Sequence, residues 1–178
     1  MIICGYAGIG KSWLGHHCPN VIDLESTPFE KDWDRYAKCA IHYHKQGYLV
    51  LLSCHKEIRE KICELVPFGQ RLTIVPDVSD KEEYRKRYTN RGNSKEIIQL
   101  LMDNWDAWHD EHHDHILREH KNIMLPGETL YDTIIRLSKE PPSHFCNYDG
   151  CPGRNKCGEY ACDVNPLRQY VVAWTNNQ

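Results

Sequence analysis

An α/β fold with a parallel sheet flanked by helices, followed by a small cysteine-rich module, is what the 178-residue sequence predicts. Three observations predict it. Short apolar runs alternate with helix-spaced segments over residues 1–138, the pattern of successive βαβ units. Tyr48-Leu49-Val50-Leu51-Leu52-Ser53 is almost continuously apolar, as suits a strand buried on both faces of a parallel sheet. At Glu140-Pro141-Pro142-Ser143 the composition changes, which places a boundary between 1–139 and a Cys-rich segment, 140–178.

The elements follow in order. Met1 to Cys4 is a strand, and Lys11 to His17 a short helix ended by Cys18-Pro19-Asn20. Val21 to Ser26 reads as a second strand ending in two acids, Asp23 and Glu25. Phe29 to Gln46 is helical, with Trp33, Tyr36, Ala37, Ala40 and Ile41 available for one face, and Gly47 stops it. After the third strand, Lys56 to Leu65 forms a helix closed by Pro67-Phe68-Gly69, and Arg71 to Val75 is the fourth strand. Ser79 to Asn93 is strongly polar. Ser94 to His120 reads as one long helix, with Ile97, Ile98, Leu101, Met102, Trp105 and Trp108 as its apolar side. Asn122 to Leu125 is a fifth strand and Glu128 to Ser138 a last helix. There is no internal repeat.

Gly5 to Ser12, GYAGIGKS, fits G-x-x-x-x-G-K-[ST], a loop that cradles phosphates. Glycines let successive N–H groups turn toward one anion, and the following helix start adds its dipole. ATP would be held by Gly5, Gly8, Ile9, Gly10, Lys11 and Ser12, with Lys11 on the β- and γ-phosphates and Ser12 on Mg²⁺. A merely tight βα turn would need neither Lys11 nor Ser12.

Bulk properties narrow the class. The chain is 40% hydrophobic and 26% charged, with net charge −3, which argues against general polyanion binding but allows a local basic groove. No apolar run approaches the roughly 20 residues a membrane helix needs, and no secretory signal is visible at the start. Five of nine cysteines are scattered through the first 63 residues. With a nucleotide loop, that implies a reducing compartment, so a cytoplasmic location is expected.

GTPases need N-K-x-D, yet the sole Asn-Lys pair, Asn155-Lys156, precedes Cys157-Gly158 in the tail. Motor and helicase ATPases need an acid after the most apolar strand, which here ends Ser53-Cys54-His55. A small kinase fits better. Asp23, or secondarily Glu25, would hold the Mg²⁺ shell or orient an acceptor, unless both are solvated acids at a strand end. Lys81 to Lys95 carries six basic residues against Glu82 and Glu83. Arg85, Arg87 and Arg91 would then sit on a lid spanning about 79–95, stabilising charge on the transferring phosphoryl group. Arg87 and Arg91 share a helix face, with Arg85 off it. The plainer alternative is a solvated basic face.

Residues 1–138 thus resemble the P-loop nucleoside and nucleotide kinase superfamily, especially small nucleotide kinase-like proteins encoded by bacteriophages. Gly5–Ser12, Asp23-Leu24-Glu25, Ser53-Cys54-His55-Lys56 and Arg85–Arg91 carry the resemblance. It implies a kinase using ATP and Mg²⁺. The chain lacks an aspartate at the third-strand end and the Asp-Gly-Phe-Pro-Arg segment of adenylate kinases, so acceptor identity does not transfer.

His109, His112 and His113 could share a helix side, but interleaving with acids suggests a hydrated surface rather than a catalytic metal. Cys146, Cys151, Cys157 and Cys162 give C-x4-C-x5-C-x4-C, with Gly150, Pro152, Gly153 and Gly158 allowing sharp turns. Four thiolates suit a structural Zn²⁺, with an iron–sulfur cluster and two disulfides as alternatives and His144 as a substitute ligand. The tail is charge-balanced and is expected to dock on the sheet domain. The expected activity is ATP-dependent phosphoryl transfer to a nucleoside or deoxynucleoside monophosphate. Alternatives are a kinase acting on a hydroxyl of DNA, RNA or a modified base, with nucleic acid as partner, and a non-catalytic ATP-binding switch.

Overall fold

Five strands, β1 (Ile2–Gly5), β2 (Val21–Asp23), β3 (Leu49–Ser53), β4 (Arg71–Val75) and β5 (Lys121–Ile123), form one sheet in the order β2-β3-β1-β4-β5. Every pairing is parallel. These come from a computed structural model, which describes residues 1–111, 121–140 and 165–175. The first strand is central, in register with Val50–Ser53 on one side and Arg71–Ile74 on the other.

Because alternate strand residues face opposite ways, the unbroken apolar runs supply two cores. Ile2, Cys4, Val50 and Leu52 pack with Tyr36, Ala37 and Ala40 of α2 (Trp33–Lys45) and Ile58 and Ile62 of α3 (Lys56–Leu65). Ile3, Leu49, Leu51, Leu72 and Ile74 face the other way. They pack with Leu14 of α1 (Lys11–His17), Tyr84 and Tyr88 of α4 (Lys81–Asn90) and Met102 of α5 (Lys95–Asp103). Trp105 of α6 (Trp105–Glu111) and Ile134 of α7 (Leu130–Ser138) join that core. So do Tyr170 and Trp174 of α8 (Arg168–Thr175). Each fully buried Leu or Ile contributes roughly 1.5–3 kcal/mol.

Several boundaries differ from the sequence reading, for local reasons. The second strand stops at Asp23, and a 3₁₀ turn, Thr27–Phe29, follows. The next helix begins at Trp33 rather than Phe29, because Glu30 and Lys31 take left-handed backbone angles and Asp32 accepts from the Arg35 N–H at 3.0 Å as a cap. The expected single helix over 94–120 is broken at Asn104 within its described part. There the Asn104 side-chain amide donates to the Leu100 carbonyl at 2.8 Å, competing with the helix for its own acceptors. Trp105, fully buried, donates from Nε1 to the Val78 carbonyl at 2.9 Å and fixes the new direction. Glu128 stays outside α7, whose cap is Thr129 in a reciprocal box with Asp132.

The tail's described part folds back on the sheet domain. Trp174 donates from its indole to the Pro19 carbonyl at 3.2 Å, and the Tyr170 hydroxyl reaches the Tyr48 carbonyl at 3.3 Å. Cys146, Cys151, Cys157, Cys162 and His144 lie outside the described residues, as do His112 and His113. His109 is described, and it is not on a hydrated surface. It is 3% exposed, with Nδ1 2.6 Å from the Trp105 carbonyl oxygen and Nε2 3.2 Å from that of Pro76. Its ring is committed to tying α6 to the end of β4. No described helix is long and apolar enough to cross a membrane.

Candidate functional site

The loop between β1 and α1 opens on a cleft of about 680 Å³ at the C-terminal ends of the strands. Sheet order explains the position. Neighbours of the central strand leave in different directions there, and the crevice at such a point is where ligands of open α/β sheets bind. Gly5, Gly8, Gly10, Lys11 and Ser12 line it from one side, Leu24 and Glu25 from beyond β2, and Ser53 to Glu57 from the end of β3. Arg87, Tyr88 and Arg91 close it from α4 and its cap, with Leu101 and Trp108 beyond.

The loop is wound tightly, and its sequence permits that. Gly8 and Gly10 have φ of 79° and 103°, left-handed values that residues with a Cβ rarely adopt. At Gly8 there is also no room, since a Cβ would lie 2.7 Å from the Tyr88 ring. The Tyr88 hydroxyl donates to the Ala7 carbonyl at 2.9 Å, and the Leu130 N–H donates to the Ile9 carbonyl at 3.2 Å. Ile9 itself is 2% exposed and packs inward, so only its main chain can serve a ligand.

Lys11 doubles back over the loop, its ammonium donating to the Gly5 and Tyr6 carbonyls at 3.0 Å each. Burial lowers its pKa, and the field of Asp23 opposes this most strongly. A lysine held on its own loop by two neutral acceptors has its charge available to an incoming anion. Tyr6, between Gly5 and Gly8, is braced edge-on against Trp105 with centroids 5.4 Å apart.

The two acids are not equivalent. Glu25 lines the cleft, whereas Asp23 lies beneath it, against Gly15 of α1. One Asp23 oxygen, Oδ1, is buried without a hydrogen-bond partner among the described residues, and so is Ser53 Oγ. An orphaned carboxylate oxygen is costly unless a cation or donor completes it. The three arginines separate as well. Arg87 and Arg91 reach the cleft, while Arg85 stays outside it, paired with Glu82 at 3.2 Å on the surface. Arg87 lies over the Tyr84 ring at 4.7 Å and within 3.3 Å of Glu83. The helix carrying them is anchored rather than detached, because Tyr84 and Tyr88 are each 1% exposed.

Sequence reading passed over three contributors. Tyr88 and Trp105 give no local signal, since their role depends on contacts across the fold. Trp13 could have been suspected as a large aromatic directly after the loop; it lines the cleft and remains 52% exposed.

Among the described residues no three His, Cys, Asp or Glu side chains gather as a metal centre. The described cysteines, Cys4, Cys18, Cys39, Cys54 and Cys63, form no disulfide. No protein-family model matches the chain, and no curated protein matches it.

Proposed function

We propose that the protein is an ATP-dependent phosphotransferase of the P-loop kinase type acting on a nucleoside or deoxynucleoside monophosphate. The observation carrying this reading is the convergence of the Gly5–Ser12 loop and two arginines, Arg87 and Arg91, on one cleft. Phosphoryl transfer needs little covalent help from a protein. It needs positioning and positive charge over the transferring group. Lys11 and the loop N–H groups would hold the donor phosphates, and Arg87 and Arg91 would neutralise the oxygens of the moving group. A monophosphate oxygen is already a nucleophile, so no strong base is required.

Mg²⁺ bound with the nucleotide would supply charge neutralisation on the phosphates. Ser12 in the cleft and the buried Asp23 Oδ1, without a hydrogen-bond partner among the described residues, fit it, because this ion keeps several waters and takes only one or two protein oxygens. Glu25 in the cleft favours a second reading, transfer to a hydroxyl, with that carboxylate as general base.

The test is transfer from γ-labelled ATP with Mg²⁺ to each ribo- and deoxynucleoside monophosphate, and to DNA carrying 5′-hydroxyl ends or hydroxymethylated bases, with Lys11→Ala as control. Label in one diphosphate, lost in the variant, is the expected result. Label in DNA would select the second reading, and bound ATP with no transfer would leave a nucleotide-binding switch.

A further inference from the structure

Trp13 is a conspicuous side chain that the phosphotransfer reading leaves unused. It follows Ser12 in the first turn of α1, lines the cleft and is 52% exposed. A large aromatic in a protein with ample core would ordinarily be buried, and this one is not. It is nevertheless held firmly. The His17 ring stacks on it at 4.4 Å with an interplanar angle of 11°. Tyr131 meets it edge-on at 5.9 Å and is itself stacked at 5.6 Å on Trp174. His17 is fixed in turn, with Nδ1 2.7 Å from the Trp13 carbonyl oxygen. The result is a flat ring backed on one face, braced at its edge, and exposed where the cleft begins.

Resting on the phosphotransfer reading, we infer that Trp13 is the plate on which the nucleobase of the bound triphosphate stacks. A base has a π-face whatever its identity, so such a plate binds without reading base edges, and larger purines gain more from it than pyrimidines. Preorganisation by His17 and Tyr131 means little side-chain freedom is lost when the base arrives. Trp108 also lines the cleft, but it packs against the buried core and is less free to receive a ligand.

The experiment compares Mg²⁺-ATP with Mg²⁺-tripolyphosphate, which has the phosphates and no base, by calorimetry on wild type, Trp13→Ala and Trp13→Phe. The expected result is a loss of about tenfold or more in ATP affinity for Trp13→Ala. Tripolyphosphate binding should be unchanged, and Trp13→Phe should recover most of the ATP loss. Intact tripolyphosphate binding also reports that the variants are folded. Equal weakening of both ligands, or no change for ATP, would overturn the stacking role while leaving the phosphate loop standing. A wild-type protein that binds neither ligand would instead remove the phosphate-loop reading, and the stacking role with it.

Discussion

The phenol of Tyr88 hydrogen-bonds the carbonyl of Ala7, 81 residues earlier, and its ring fills the place a Gly8 side chain would need. One residue before Tyr88 is Arg87, which lines the same cleft as the loop. The glycine loop and the arginine helix are therefore packed as one arrangement.

Gly8→Ala should damage that arrangement twice. It meets a packed aromatic ring and must hold φ near 79°, a strain of roughly 1–3 kcal/mol. The expected outcome is a lower urea midpoint together with at least tenfold weaker ATP binding. Tyr88→Phe removes only the phenolic hydrogen bond and should cost about 1 kcal/mol. An alanine at position 8 with undiminished ATP affinity would show that loop shape does not matter for the ligand.

The arginines should divide in kinetics as they divide in space. Arg87→Ala and Arg91→Ala are expected to lower kcat by 10²-fold or more, the usual scale for a group that stabilises transferring charge. Arg85→Ala, on the exposed side with Glu82, should stay within about 0.5 kcal/mol of wild type in stability and retain its rate. Steady-state rates at saturating ATP check this, and an Arg85→Ala enzyme as impaired as Arg91→Ala would contradict it.

Asp23→Asn and Glu25→Gln should give different defects. Asp23 presents its buried oxygen from under the cleft, so its amide variant is expected to need several-fold more Mg²⁺ for half-maximal rate while remaining folded. Glu25→Gln should leave the Mg²⁺ requirement alone for a monophosphate acceptor. A Mg²⁺ titration of each variant separates them; identical curves would mean Asp23 has no part in holding the ion.

How far the sequence reveals this site depends on whether the signal is local. The loop is legible because three glycines, Lys11 and Ser12 must follow one another to wrap an anion. Arg87 and Arg91 share a face by helical spacing alone. Asn104 is not legible as a break, since Ile97 to Trp108 keeps its apolar period across it and the Trp105–Val78 contact that fixes the new direction is distant in sequence. The anchoring of α4 is hidden for a similar reason. Its residues are mostly charged, and it is anchored by two buried tyrosines, Tyr84 and Tyr88. His109 misled in the opposite sense, because acids beside it in sequence say nothing of the Pro76 carbonyl it meets.

Stability should depend on pH through the Met1 amino group, which lies 2.7 Å from His44 Nδ1 and donates to the Tyr170 hydroxyl at 2.9 Å. Burial lowers its pKa from 8.0 to about 5, and burial lowers that of His44 as well. As pH falls from 8 toward 5 the unfolded chain takes up a proton that the folded chain resists, so stability declines through that window and is fullest above pH 8. Urea midpoints measured from pH 8.5 to 5 should fall steadily. A flat profile would mean the amine is solvated.

The central place of β1 carries a consequence for synthesis. The glycine loop is made well before its supports, which come from far along the chain: Ile74 for the Tyr6 N–H, Tyr88 for Ala7 and Leu130 for Ile9. Such high contact order delays ordering until distant partners exist. A nascent chain stalled before α7 would carry the whole loop and lack the means to shape it. Nucleotide affinity would then arise late and abruptly during translation, once the chain has grown through α7, rather than with the synthesis of Gly5–Ser12 themselves.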